Sequence, residues 1–268
     1  MSYLFLSCTE EKQLGHVLIL RERPCRVTPM GQALLKHLQH IRLMENNLLQ
    51  NFQGKTQNSV FYKLKIATNA DSLATWLLAS LQKPVLQQNI LLDLKIDDQT
   101  QTHHLLEAGL VNACISTEQT AMQGCIARTL GKMTYRMVAS KAFYQQYFKA
   151  GISREILTTT PAVVFNEKDQ LQHQILIQHF GLTDSMFPYH HVPSSTAFVE
   201  AILLGLGYGM LPDFQIEKRI ENGELIEIMP FAKTDIMLYW HHWKQQSPQL
   251  EALTQHLIQH TKDLFQVG

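Results

Sequence analysis

Leu64-Lys65-Ile66-Ala67-Thr68-Asn69-Ala70-Asp71-Ser72-Leu73-Ala74-Thr75-Trp76-Leu77-Leu78 changes its hydrophobic period halfway along. Tyr62, Leu64 and Ile66 alternate with Lys63, Lys65 and Ala67, which predicts a strand with one more apolar side. Leu73, Trp76, Leu77 and Leu81 then follow helical spacing. The switch falls on Thr68 to Ser72, a stretch of residues whose short side-chain oxygens accept amide hydrogens of a first helical turn. A strand running straight into a capped helix presents free N–H groups and the positive end of the helix dipole. That is a seat for a small anion such as a carboxylate. Geometry alone does not single it out, because α/β proteins contain several such junctions and most hold only water.

Bulk composition bounds the rest. The 268 residues suffice for one large or two small domains with a real core. Hydrophobic residues make up 45%, an ordinary globular value. Lys plus Arg (23) equals Asp plus Glu (23), so the chain lacks the basic excess of a dedicated nucleic-acid binder. Thirteen His make its charge rise below neutral pH. Cys8, Cys25, Cys114 and Cys125 show no CxxC spacing, which predicts a reducing, cytoplasmic setting without a disulfide framework. The opening Met1 to Cys8 lacks a basic start and a long enough apolar run for an export signal. No run approaches the ~20 apolar residues of a membrane span, so no membrane partner is expected.

Outward from the opening stretch, Val17 to Leu20 and Arg26 to Thr28 read as a small hairpin around a charged turn. Thr28-Pro29 starts a helix, with Thr as cap and Pro in the first turn. Leu34, Leu38, Ile41, Leu48 and Phe52 carry it to about Asn51. That helix packs either on its own domain or against a second helix. Asn51 to Ser59 reads as a linker. Strands are then expected at 61–67, 90–96, 110–115 and 132–139, with helices near 71–82 and 98–108. A second series has strands at 161–165, 187–192, 208–211 and 224–228, with helices near 167–180 and 194–205. A last strand, 236–241, precedes a helix from 247 to about 265. Alternation of this kind predicts an α/β fold with two lobes and largely parallel sheets. Val192-Pro193-Ser194-Ser195-Thr196-Ala197-Phe198 repeats the strand–cap–helix junction in the second lobe. Two such junctions facing across a cleft hold a small ligand.

Other constellations carry less. Gly205-Leu206-Gly207-Tyr208-Gly209 follows a helix and precedes a strand, the reverse of a dinucleotide loop, so these glycines end a helix and turn the chain. His256 and His260 share a helix face without HExxH or a Cys partner, so no metal site is expected. No Gly-x-Ser-x-Gly elbow or catalytic set emerges, and Asp97-Asp98 read as helix caps, so no enzyme is expected.

Leu14 to Arg23 and Val27-Thr28-Pro29-Met30-Gly31 resemble the wing and linker-helix start of LysR-type transcriptional regulators. Asn69 to Leu78 is very similar to the branch of that family responding to lysine and arginine. Gln215-Ile216-Glu217-Lys218, Gly223-Glu224-Leu225-Ile226 and Met237-Leu238-Tyr239-Trp240-His241 strengthen it. The resemblance implies an α/β fold of two Rossmann-like lobes, as in type II periplasmic-binding proteins, behind a wing remnant and a long linker helix. Residues 1–27 are then the start and wing remnant, 28–58 the dimerisation helix and linker, and 59–268 the effector-binding domain. Its first lobe spans about 59–138 plus 240–268 and its second about 139–239, with strands 132–139 and 236–241 crossing between them. Effector contacts carry over to Asn69, Asp71 and Ser72, with Ser116 and Thr117, in the first lobe. In the second they fall on Phe165, Ser194 and Ser195. Asp71, by charge, faces a ligand cation.

The family's helix-turn-helix does not match residues 1–13, so DNA binding is expected only where that part is supplied. Arg21, Arg23 and Arg26 then give weak phosphate attraction. The implied protein is a cytoplasmic amino-acid sensor without cofactor or metal. It forms homo-oligomers, or hetero-oligomers with a full-length regulator. The alternatives are a periplasmic-type solute-binding protein and an inert or dominant-negative regulator fragment.

Overall fold

A computed structural model describes residues 11–20, 22–23, 25–35, 37–38, 41, 45, 61–98, 101–167 and 169–265. Strands β1 (Ile19–Leu20) and β2 (Arg26–Val27) pair antiparallel as the small hairpin expected. Thr28 closes it: its Oγ1 donates to the Val17 carbonyl at 2.7 Å and accepts the Gly31 N–H at 3.0 Å. Residues 29–35 are helical. The expected helix end near Asn51 and the linker at 51–59 lie outside the described residues, as does Arg21.

The decisive stretch folds as its periods dictate. β3 (Tyr62–Thr68) buries Tyr62, Leu64 and Ile66. It runs directly into helix α1, residues 70–87, whose second turn, Leu73–Leu77, is a π turn. β4 (Ile90–Ile96) returns parallel to β3, and α2 (Thr102–Glu107) leads to β5 (Ala113–Ser116), also parallel to β3.

β6 (Cys125–Ser140) is longer than its predicted 132–139 and belongs to both lobes. It is followed by α3, residues 141–148, which also ends in a π turn, then α4 (Arg154–Thr159) and β7 (Ala162–Val164). Next come α5 (Leu171–Phe180), β8 (Tyr189–His191), α6 (Ser195–Leu203) and β9 (Gly209–Pro212). The chain ends with α7 (Asp213–Glu221), β10 (Leu225–Glu227), β11 (Thr234–Trp243) and α8 (Pro248–Phe265). Helices α3, α4 and α7 were not anticipated.

The first lobe orders its strands β6-β11-β5-β3-β4. The second uses the far end of β6, flanked by β10 and β9, with β7 and β8 beyond, joined through an Ala162–Tyr208 bridge. The expectation of largely parallel sheets needs correction here. β6 runs antiparallel to β9, β10 and β11, because one long strand serves both lobes and its partners return against it. One apolar cluster continues through the junction, with Leu64, Ile66, Leu77, Met137, Tyr208, Trp240 and Leu253 fully or almost fully buried. Each such aliphatic side chain contributes about 1.5–3 kcal/mol of transfer free energy. Trp240 Nε1, in the middle of this core, donates to Thr254 Oγ1 at 3.0 Å. Gly205, at φ +76°, ends α6 as expected, a backbone conformation open to glycine at little cost. Cys114 and Cys125 are buried free thiols. Among the described residues no helix is long and apolar enough to cross a membrane.

Candidate functional site

Between the lobes lies a cleft of about 1070 Å³. Its floor is formed by the crossing strands, with Tyr135 of β6 and Asp235, Ile236, Met237 and Tyr239 of β11, and its walls include the N-terminal ends of α1 and α6, where the two mirrored junctions meet. Asn69, Asp71, Thr117, Phe165, Ser194 and Ser195, all expected at the site, line it. Ser72 and Ser116 do not. Ser72 is fully buried with no hydrogen-bond partner at its Oγ, because α1 turns that face into the first-lobe core. Ser116 is fully buried and its Oγ accepts the Glu118 N–H at 3.1 Å, holding the loop after β5. Arg23 and Arg26 sit exposed on the small hairpin, away from the cleft.

The two junctions differ in chemistry. Ser194 caps α6 in the expected way, its Oγ accepting the Ala197 N–H at 3.5 Å. Asn69 occupies the cap position of α1 without a side-chain cap hydrogen bond, and the first turn carries Asp71 instead. A carboxylate placed there is favoured by the helix dipole. It also fills the seat with negative charge, which disfavours an anion at the first-lobe junction.

Asp71 is held from two other elements. Tyr135 Oη, from the middle of β6, donates to Asp71 Oδ2 at 2.8 Å. The Ser195 hydroxyl, from the other lobe, hydrogen-bonds to the same carboxylate. Burial nevertheless raises the Asp71 pKa above the ordinary carboxylate value, and the two hydrogen bonds oppose that rise. Tyr135 is pushed well above the ordinary phenol value, chiefly by burial and then by the adjacent Asp71 charge, so it stays protonated as a donor.

Asp169 answers Asp71 from the second lobe. It stands just before α5, with Oδ1 accepting the Leu171 N–H at 3.1 Å and Oδ2 the Phe165 N–H at 3.4 Å. Burial raises its pKa first, and the nearby Asp71 charge adds to it. Asp97, Asp98 and Asp235 also line the cleft, and its described lining contains no Lys, Arg or His. The expected capping by Asp97 and Asp98 is not seen: α2 starts at Thr102 after Gln101 with no side-chain cap, and Asp97 Oδ1 accepts the Asp98 N–H at 2.8 Å in the loop before it. Among the described residues no group of three or more His, Cys, Asp or Glu is placed to hold a metal ion.

Tyr135 and Asp169 are cleft residues that the sequence did not reveal. Tyr135 falls mid-strand, where only the lobe crossing places it under Asp71. Asp169 had a signal, an acid just ahead of a helical period, but the helix was expected to begin at 167.

The comparisons agree with this architecture. Residues 62–262 match the LysR substrate binding domain. The HTH-type transcriptional regulator ArgP of Pseudomonas fluorescens is 37% identical over 247 residues, covering 92% of this chain and 82% of that protein. ArgP from Mycobacterium tuberculosis superposes with a TM-score of 0.80 at 31% identity, over 94% of this chain and 84% of that one. Full-length LysG from Corynebacterium glutamicum with bound effector Arg gives 0.76 at 26% identity, over 96% and 86%. These relatives are transcriptional regulators rather than enzymes. With its two-lobed α/β fold and interlobe cleft, the chain belongs to the LysR-type transcriptional regulators, among the relatives of ArgP and LysG.

Proposed function

We propose that the cleft binds a cationic amino acid of the lysine or arginine type, and that this chain is the sensing and oligomerising part of a regulator. One observation carries the reading. Two desolvated carboxylates, Asp71 and Asp169, come from opposite lobes to one cleft whose described lining has no compensating cation. Two acids raised by burial, Asp169 also by the Asp71 charge, are relieved by a ligand bringing positive charge. The ligand carboxylate goes to the N-terminus of α6 at Ser194 and Ser195, where uncharged side chains leave the helix dipole unopposed. Asn69, Thr117 and Phe165 complete the lining, and Ser72 is no longer assigned a contact. The LysG relative with bound arginine supports the ligand class.

Binding across both lobes favours the closed arrangement by the ligand's differential affinity for it, and so biases assembly with another copy or a full-length regulator. The domain division expected from the sequence remains part of this proposal. DNA contact through the chain's own exposed Arg23 and Arg26 is weak and salt-sensitive, and family-type DNA reading requires the helix-turn-helix.

Titration calorimetry with L-lysine, L-arginine and L-glutamate tests the ligand class. Binding of either cationic amino acid, with none of glutamate, supports it. No heat with lysine and arginine at millimolar concentration overturns it.

A further inference from the structure

Three consecutive residues at the start of α7 each reach a different element. Asp213 grips Arg136 of β6 at two points, Nε–Oδ1 2.7 Å and Nη2–Oδ2 2.9 Å. Phe214 stands edge-on to Phe265 at the end of α8, with centroids 5.5 Å apart and planes at 89°. Gln215 Nε2 donates to Ser195 Oγ at 2.8 Å. Phe265 is itself edge-on to Trp76, in the π turn of α1, at 5.3 Å. It also covers Gly131 of β6, where φ is +154° and a Cβ would run into the Phe265 ring. An aromatic chain therefore runs from the second lobe, through the C-terminal helix, to the helix that carries Asp71.

We propose that Gln215 is a positioning residue for the cleft. Through it, the Asp213-Phe214-Gln215 turn couples closure of the lobes to the seating of the C-terminal helix. The hydroxyl of Ser195 has a single hydrogen. Gln215 occupies its oxygen as a donor, which leaves that hydrogen for Asp71 across the cleft. Gln215 Oε1 is buried without a hydrogen-bond partner, so the amide is committed through its NH2 group. Movement of α6 relative to Asp71 drags on Gln215. Because Gln215 and Phe214 are neighbours in one helical turn, it also slides Phe214 over Phe265. Asp213 anchors the pivot on the strand common to both lobes. The coupling is thus carried by contiguous contacts. The inference rests on the effector reading of the cleft only in its ligand arm.

Hydrogen exchange of the full chain tests it without ligand and then with L-arginine as probe. Without ligand, Gln215→Met is expected to speed exchange of amides 262–265 about tenfold, the size of one lost hydrogen bond, although Gln215 is not bonded to α8. A wild-type rate there makes the Phe214 contact mere packing and overturns the proposal. Phe214→Ala is expected to speed the same amides and those at 195–198, and Phe214→Leu to restore both. If Phe214→Ala does not fold, the Gln215→Met and Phe214→Leu results decide. With millimolar L-arginine, the wild type is expected to gain protection at 69–73, 195–198 and 262–265, and Phe214→Ala only at the first two. Protection of 262–265 that survives Phe214→Ala overturns the coupling. Arginine that protects nothing in the wild type overturns the effector reading instead, and the ligand-free Gln215→Met result still decides the coupling.

Discussion

The helix starts at Asn69 and at Ser194 come from nearly the same sequence grammar, a strand followed by small polar residues and a helical period. They end as electrical opposites. The second keeps its cap and carries no acidic residue in its first turn. The first lacks a side-chain cap and turns a carboxylate onto the cleft, braced by Tyr135 and Ser195. Similar backbone devices become electrically different through one residue each, and the zwitterionic ligand proposed above carries a group for either sign.

That contrast predicts effects of descending size. Asp71→Asn keeps the volume and removes the charge, so affinity for L-arginine is expected to fall roughly 30-fold or more, as for loss of a charged hydrogen bond. Calorimetry reads it, and a near-wild-type constant removes Asp71 from the site. The pH dependence follows next. Burial raises the Asp71 pKa, so the folded chain keeps that proton to higher pH than the unfolded chain, whose value is near 3.8. The stability tied to Asp71 is therefore complete below that value and is lost as pH rises through the folded value. Arginine affinity runs the other way and strengthens over the same window. Urea titrations of wild type and Asp71→Asn from about pH 4 to about pH 7 give the difference curve; a flat curve, or one that rises, refutes the assignment.

Ser194→Ala removes the cap of α6 and is expected to cost about 1 kcal/mol in thermal or urea unfolding. No loss means the cap is idle. Ser72→Ala should matter least. Its hydroxyl is buried without a partner, so stability should change by less than about 0.5 kcal/mol or rise slightly. A larger loss, or a loss of arginine affinity, returns Ser72 to the site.

How much of this was legible depends on where the signal lay. β3 and β4 were visible almost to the residue, because their alternation is local and one-sided. α7 was missed because Asp213 to Glu221 is largely polar and buries only Ile216, so its apolar stripe is too thin to show a period. α3 had usable spacing at Phe143, Tyr144, Tyr147 and Phe148, but followed directly on β6 without an intervening turn. Asp71 was readable as a candidate from type and position. Ser72, expected at the cleft, lies in the core because a single residue's step around a helix decides between the two, and that phase is fixed only by tertiary packing. Asp169 and Tyr135 are brought to the cleft by the lobe crossing, which lies beyond any local window.

The π turn at Leu73–Leu77 has a consequence for how such a sensor diversifies. A π turn is an α-helix with one residue inserted. The wider turn absorbs that extra residue, so removing it restores regular winding while Asp71 keeps nearly the same bearing on the rest of the helix. A single-codon insertion or deletion at this turn is thus taken up locally, and helix length can drift while the carboxylate stays aimed at the cleft.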